Sequence, residues 1–402
     1  MKTDEIQRAL GEVIRGIEVI NTHDHHGYDQ WHSGLSLTRV LRSSSAPWSC
    51  EDPRTMYQER GAFLRRVRQN SQYFWLSRAL QELYDHSTEV TAENWDKLSG
   101  QIRRAHEDRG WHLRLLTEQS RHQASILDSF KEPGSDQGHP DLFKPAYRVD
   151  MFLISCHEEL ADHDGNNALV EYDEHPGTFD GYLDLVRECV VRARERGCVA
   201  LKVACAYDRP LRFDGPRKSD AARVYGRHPS ELEEGDLAIF GNFVLHHVLK
   251  LADELDFPVQ VHLGVVSLEN ANPLEFAAVL ARYPGVRFDL FHGGYPWTEV
   301  VSALAHQYRN AWLNLCWLPM ISTTHAEAVL NEWIDVAGSC ERIVWGADAM
   351  TGEETYGALL AMEHVLRHAL AERIRLGLTD LAGACDLSRK ILHDNAKKLY
   401  EL

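Results

Sequence analysis

The sequence lacks an excess of basic residues. Forty-three Lys and Arg stand against 60 Asp and Glu, a formal net charge of −17 over 402 residues. A nucleic-acid-binding surface needs a basic stripe, so that class is set aside. Long apolar runs are also missing. No segment approaches the roughly 18 uninterrupted apolar residues of a spanning helix. The opening MKTDEIQRAL has no apolar stretch behind a basic cluster, so neither a membrane span nor a signal peptide is expected, and the chain is read as cytoplasmic. Cysteines are few: eight, with no C-x-x-C pair among Cys50, Cys156, Cys189, Cys198, Cys205, Cys316, Cys340 and Cys385. That spacing suggests neither a structural zinc knot nor a disulfide framework. No glycine-rich phosphate signature occurs either.

What the chain does have is alternation. Short apolar segments separated by amphipathic helical patterns run through most of its length. Strands are expected at 18–21, 123–127, 147–155, 199–205, 259–263, 287–292, 311–315 and 343–345. Helices are expected at 182–196, 237–255, 274–282, 298–308, 326–336 and 356–372. Strands that alternate with helices signal βα units and a parallel sheet. Eight such units predict a (β/α)8 TIM barrel, with its chemistry on the loops at the C-terminal strand ends. The stretch 26–121 has another texture. It is rich in Arg, Gln, Glu and Trp, with helical periodicity at 55–84 and 93–109. It is expected to form a large helical insertion or lid after the first strand, within one barrel domain spanning 1–402.

The residues at the strand ends carry the chemistry. His23 and His25 close the first strand, and residues i and i+2 share a face, so the pair forms a pincer. His262 ends the fifth predicted strand, His292 the sixth and Asp348 the eighth. Polar ligands at several strand ends of one barrel converge on one mouth. Lys202 lies in the otherwise apolar Val199–Cys205, and a buried lysine requires a partner or a function. It can bridge metals as a carbamate, pair with a carboxylate or bind an anionic substrate. His26 points away from the pincer and can support it from behind. Arg209, in the loop after the Lys202 strand, can grip a carboxylate. Tyr295 and Trp31 can wall a substrate pocket. The polar loop holding His157, His163, His175, Asp162, Asp164 and Asp173 reads as a solvated surface.

This constellation resembles the amidohydrolase superfamily: H-x-H on strand one, Lys on strand four, His on strands five and six, Asp on strand eight. The segment Ile391-Leu-His-Asp-Asn-Ala-Lys-Lys-Leu-Tyr400 is similar to the closing helix of the amidohydrolase-2 (ACMSD-like) branch. Phe291-His-Gly-Gly-Tyr-Pro296 and Asn314-Leu-Cys-Trp-Leu-Pro319 look closest to the amidohydrolase-like domain of nodulin/glutamine-synthetase fusion proteins. The helical insertion is similar to that of uronate isomerases. The resemblance implies one or two divalent ions, zinc first with manganese, iron or nickel as alternatives. It implies His23, His25, Lys202, His262, His292 and Asp348 as the metal set, with Asp348 and His292 catalytic. Asn21 departs from the pattern, standing where an Asp commonly opens the first motif.

The expected activity is hydrolysis of a small carboxylated, amide or lactone substrate by metal-activated water. Decarboxylation or uronate-type isomerisation on the same site is the alternative, and a catalytically silent binding domain is a third reading. The expected partner is a small molecule, and a homo-oligomer is compatible with the sequence.

Overall fold

The structure, a computed structural model, describes residues 3–49, 58–86, 88–215, 217–265, 267–337 and 340–402. Cys50 and the start of the helix expected at 55–84 lie outside them. Eight parallel strands form one sheet in sequential order: β1 (Val19–Asp24), β2 (His122–Asp128), β3 (Phe143–Arg148), β4 (Ala200–Val203), β5 (Val259–Val261), β6 (Phe288–Leu290), β7 (Ala311–Asn314) and β8 (Ile343–Val344). The sheet closes on itself. Thr22 N donates to Trp345 O at 3.2 Å, and Asp348 N donates to His23 O at 2.8 Å. This is the (β/α)8 barrel expected from the alternation.

Helices cover the outside by burying an apolar face, and some begin at a capping side chain. Phe179–Glu195 buries Phe179, Tyr182, Val186 and Val190, and its cap Thr178 Oγ1 accepts from Gly181 N at 3.1 Å. Gly352–Arg375 begins at Thr351, whose Oγ1 accepts from Glu354 N at 3.2 Å. No helix among the described residues is long and apolar enough to cross a membrane.

Two element assignments differ from the expectation. β3 is Phe143–Arg148, and Asp150–Ile154 is helical. The apolar run Met151-Phe-Leu-Ile154 imitates a strand. The chain turns instead at Asp150, whose carboxylate accepts from Ala204 N at 2.9 and 3.0 Å. The expected helix at 55–84 is broken. Arg60–Val67 and Ser71–Leu83 are separate helices, because Asn70 leaves helical geometry and its side chain caps Gln72 N at 2.8 Å.

Between β1 and β2 the helices Leu37–Ser43, Arg60–Val67, Ser71–Leu83 and Trp95–Ala105 share their own apolar cluster, with Leu41, Phe63, Leu80, Trp95 and Ile102 buried. The unit docks on Gly352–Arg375. A Cβ at Gly357 would stand 3.1 Å from Trp75 O. Nearby, the buried Glu353 carboxylate accepts from Tyr84 OH at 2.6 Å and meets His106 Nε2 at 2.8 Å.

Candidate metal centre

The barrel floor is polar. Asn314 Nδ2 donates to Thr22 Oγ1 and to Asp289 Oδ2, both at 2.9 Å. Tyr400 OH donates to Asp289 Oδ2 at 2.5 Å, and Gln260 Nε2 reaches Thr22 O at 2.9 Å. Burial pushes the Asp289 carboxyl up to about 7. This network supports the strand ends from below and ties the helix Asn395–Tyr400 into the barrel.

Above it, β1 delivers His23, and His25 follows immediately. His25 Nδ1 lies 2.8 Å from Asp128 O. A carbonyl can only accept, so Nδ1 carries the proton and the Nε2 lone pair is free. That Nε2 faces Asp348 Oδ1 at 3.1 Å, and His23 Nε2 stands 3.5 Å from the same oxygen. Four ligands at 2.0–2.1 Å in a tetrahedron are separated by about 3.3 Å. The trio His23, His25 and Asp348 therefore has the spacing and the donor chemistry of a divalent-metal site. The Asp128 carbonyl acts as the outer partner that fixes the His25 tautomer.

His262 and His292 offer a second cation position. His262 Nε2 is committed to Val265 O at 3.0 Å, and His292 Nδ1 approaches Cys316 O at 3.3 Å. Each ring must place its proton there. Their remaining nitrogens, both lone-pair acceptors, face each other at 3.1 Å. Burial lowers both imidazoles, His292 to about 4 and His262 well below its ordinary value, so a shared proton is disfavoured at neutral pH. A metal cation fits between them. His292, Cys316 and Asp348 form a further group of close donors.

Asp348 is anionic throughout the working range. Burial opposes its charge, but the neighbouring imidazoles and the Lys202 ammonium hold its carboxyl far below the usual range. Lys202 on β4 is buried, 3.3 Å from His23 Nε2 and 3.8 Å from Asp128 Oδ2, with its Nζ over the Phe291 ring. Burial lowers its pKa against the pull of Asp128. Arg148 at the end of β3 grips Asp128 with two bonds, Nε to Oδ1 at 3.1 Å and Nη2 to Oδ2 at 2.6 Å. Its Nη1 reaches Asp164 Oδ2 at 2.6 Å and His163 Nε2 at 3.1 Å. Lys202, Arg148, Asp164, His163 and Asp348 line a cavity of about 270 Å³ that also includes Phe130, Tyr207, Trp317 and Glu354. Burial raises Glu354 to about 8.

The sequence pattern of the amidohydrolase family matches residues 112–402. The chain belongs to the amidohydrolase family. Protein fluG of Emericella nidulans is 30% identical over 151 residues, which are 36% of this chain and 17% of that protein. This amidohydrolase thus spans under a fifth of fluG's length in the match. Among solved structures, uronate isomerase from Thermotoga maritima superposes with a TM-score of 0.77 at 14% identity, covering 98% of this chain and 97% of that one. Glucuronate isomerase from Caulobacter crescentus gives 0.74 at 15%, covering 99% and 94%. A presumptive metal-dependent hydrolase from Lactobacillus casei gives 0.72 at 18%, covering 98% and 97%. At these identities the likeness is one of fold.

The barrel brings His23, His25, Lys202, His262, His292 and Asp348 to one mouth. The three expected substrate contacts lie elsewhere. Arg209 is engaged by Asn242 and by Ala238 O and lies over Phe213. Tyr295 turns its ring edge to His325, and its carbonyl holds Val265 N. Trp31 packs against His32 and Arg39. None of the three lines the cavity. His163 and Asp164, read as solvated, do line it. The loop after β3 folds back over the mouth, where Arg148 neutralises Asp164. Asp128 and Arg148 escaped notice in the sequence, where their signal is a charged residue closing an apolar strand. His26 sits behind the pincer on Asp24 Oδ2 at 3.1 Å and Thr355 Oγ1 at 3.2 Å. Asn21 serves in place of the usual Asp. Its Oδ1 accepts from Ala347 N at 2.9 Å, and its Nδ2 donates to Asp24 Oδ2 at 2.5 Å.

Proposed function

We propose that this amidohydrolase is a metal-dependent hydrolase of a small carboxylated, amide or lactone substrate, with zinc as its ion. The observation that carries the reading is the preset donor trio of His23, His25 and Asp348, with the His262–His292 pair offering a second cation position beside it. A divalent ion bound there would supply a Lewis acid and lower the pKa of water from 15.7 to about 7. The protein's own groups do the rest. Asp348, anionic and held by its backbone N–H to His23 O, takes the proton of the attacking water through one oxygen and returns it to the leaving group. His292, 3.8 Å from Asp348 Oδ2, positions that carboxylate. Lys202 supplies positive charge for a substrate oxygen, and the Arg148–Asp128 pair holds both Lys202 and the loop of Asp164 in place.

The second reading is aldose–ketose isomerisation of a uronate. It is favoured by the likeness to two uronate-type isomerases over nearly the whole chain, insertion included. In it Asp348 or His292 moves a proton between adjacent carbons. One experiment separates the two: metal analysis of the purified protein, then a panel of amides, lactones, aromatic carboxylates and uronates in H2(18)O. The hydrolase reading expects zinc and one solvent oxygen-18 in the product. Ketose formation from a uronate overturns it for isomerisation, and carbon dioxide release from an aromatic acid overturns it for decarboxylation.

A further inference from the structure

A second cluster of ligand-type side chains lies where three segments meet outside the barrel mouth. Asp29 opens the short helix Asp29–His32 after β1. His112 lies in Trp111–Arg114 near the end of the insertion. His139 precedes β3. His139 Nε2 is 2.6 Å from Asp29 Oδ1, and His112 Nε2 is 3.3 Å from the same oxygen. One donor atom from each residue lies within 4.8 Å of the other two. None of the three lines the barrel cavity.

Two features are unexplained by hydrogen bonding alone. His112 is 2% exposed, and its Nε2, although beside Asp29, finds no aligned hydrogen-bond partner. His32 stacks on His112 with centroids 4.1 Å apart and planes 7° apart, and both of its buried ring nitrogens are also unpartnered. Buried polar atoms without partners are costly, so an aimed, unpartnered imidazole nitrogen calls for a ligand.

We infer that Asp29, His112 and His139 bind a zinc ion at a site distinct from the barrel centre, with His32 stacked behind His112. Two imidazoles and one carboxylate are a sufficient protein set for zinc, with water as the fourth ligand. The 3.3 Å separation of His112 and Asp29 already matches a tetrahedral edge, and His139, now 2.6 Å from Asp29 Oδ1, would need to withdraw by about 0.7 Å to match it. The ion would join the loop that follows His25, the end of the insertion and the loop between β2 and β3. It has no access to the cavity and takes no part in the reaction.

The test compares zinc content in full-length wild type and His139→Ala, each equilibrated with zinc and exchanged into metal-free buffer. His139 is 26% exposed, so its removal deletes a donor without opening the core. Wild type is expected to hold one more equivalent than the variant, and zinc is expected to raise the wild-type thermal midpoint more than that of His139→Ala. Equal zinc contents overturn the site. The difference does not depend on how many ions the barrel holds, so failure of the barrel reading is separable. In a His23→Gln/His25→Gln background, cobalt(II) should give tetrahedral visible bands that vanish with His139→Ala. Bands that persist also overturn the assignment.

Discussion

Asp348 has φ of 58°, a left-handed conformation that Asp and Asn adopt more readily than other side chains. Asp348→Asn is therefore a probe with little backbone disturbance. It should lower kcat/KM by about 10²–10⁴-fold, the range of a lost acid–base group, while divalent-metal content stays near that of wild type. Steady-state kinetics beside elemental analysis checks both halves, and wild-type turnover would remove Asp348 from the mechanism. His122, at the start of β2, tests another property. Burial lowers it to about 4, and neither ring nitrogen has a partner. The unfolded chain takes up its proton near pH 6.5 while the folded one stays neutral. The contribution is thus complete above about pH 6.5 and is lost as pH falls toward about 4, on the order of 3 kcal/mol in all. His122→Leu should flatten urea stability against pH in that window. The same residues show what a sequence exposes. His23, His25, His262 and His292 were legible because an imidazole ending an apolar strand has few structural reasons to be there. Asp128 and Arg148 were not, because a charged residue before a loop is ordinary until its partner is seen.

At the level of elements, the contact between Ser71–Leu83 and Gly352–Arg375 decides how the insertion sits. Gly357 lets the two backbones approach, since a methyl group in place of its hydrogen would lie 3.1 Å from Trp75 O and 3.2 Å from Leu76 Cα. Gly357→Val should force the helices apart and lower stability by about 1–3 kcal/mol. Gly100, in Trp95–Ala105, meets only the flexible tip of Arg104 at 3.5 Å. There the intrinsic preference for alanine is unopposed, and Gly100→Ala should gain about 0.5–1 kcal/mol. Urea midpoints of the two variants should move in opposite directions. Element type was read well where a strand is followed by an amphipathic helix, as at Val259–Val261 and Asp236–Glu254. It failed where tertiary partners decide. Asp150 turns the chain into a helix only because Ala204 N is there to donate to its carboxylate, and Pro145 disguises β3, whose neighbour Val199 needs only the proline carbonyl.

At the scale of the whole molecule, the barrel gathers its charges inward. Asp128 lies buried against Arg148 and Lys202 and Asp348 against the histidines of the mouth, within a chain of net charge −17. A bound divalent ion should accordingly stabilise the fold by linkage, about 2.7 kcal/mol when its free concentration is 100 times Kd. Chelation should lower the thermal midpoint, and restored zinc should recover it. An unchanged midpoint would show that the apo barrel already holds its full stability. The closure of the sheet has a consequence for biosynthesis. Asp24 receives a hydrogen bond from Ala349, 325 residues further along the chain, and His23 and His25 wait across the same span for Asp348. A ribosome working from the amino terminus exposes the pincer long before its third donor exists. If the trio is the metal site proposed above, it can be complete only after Asp348 has emerged, so the ion would be taken up by the late folding chain.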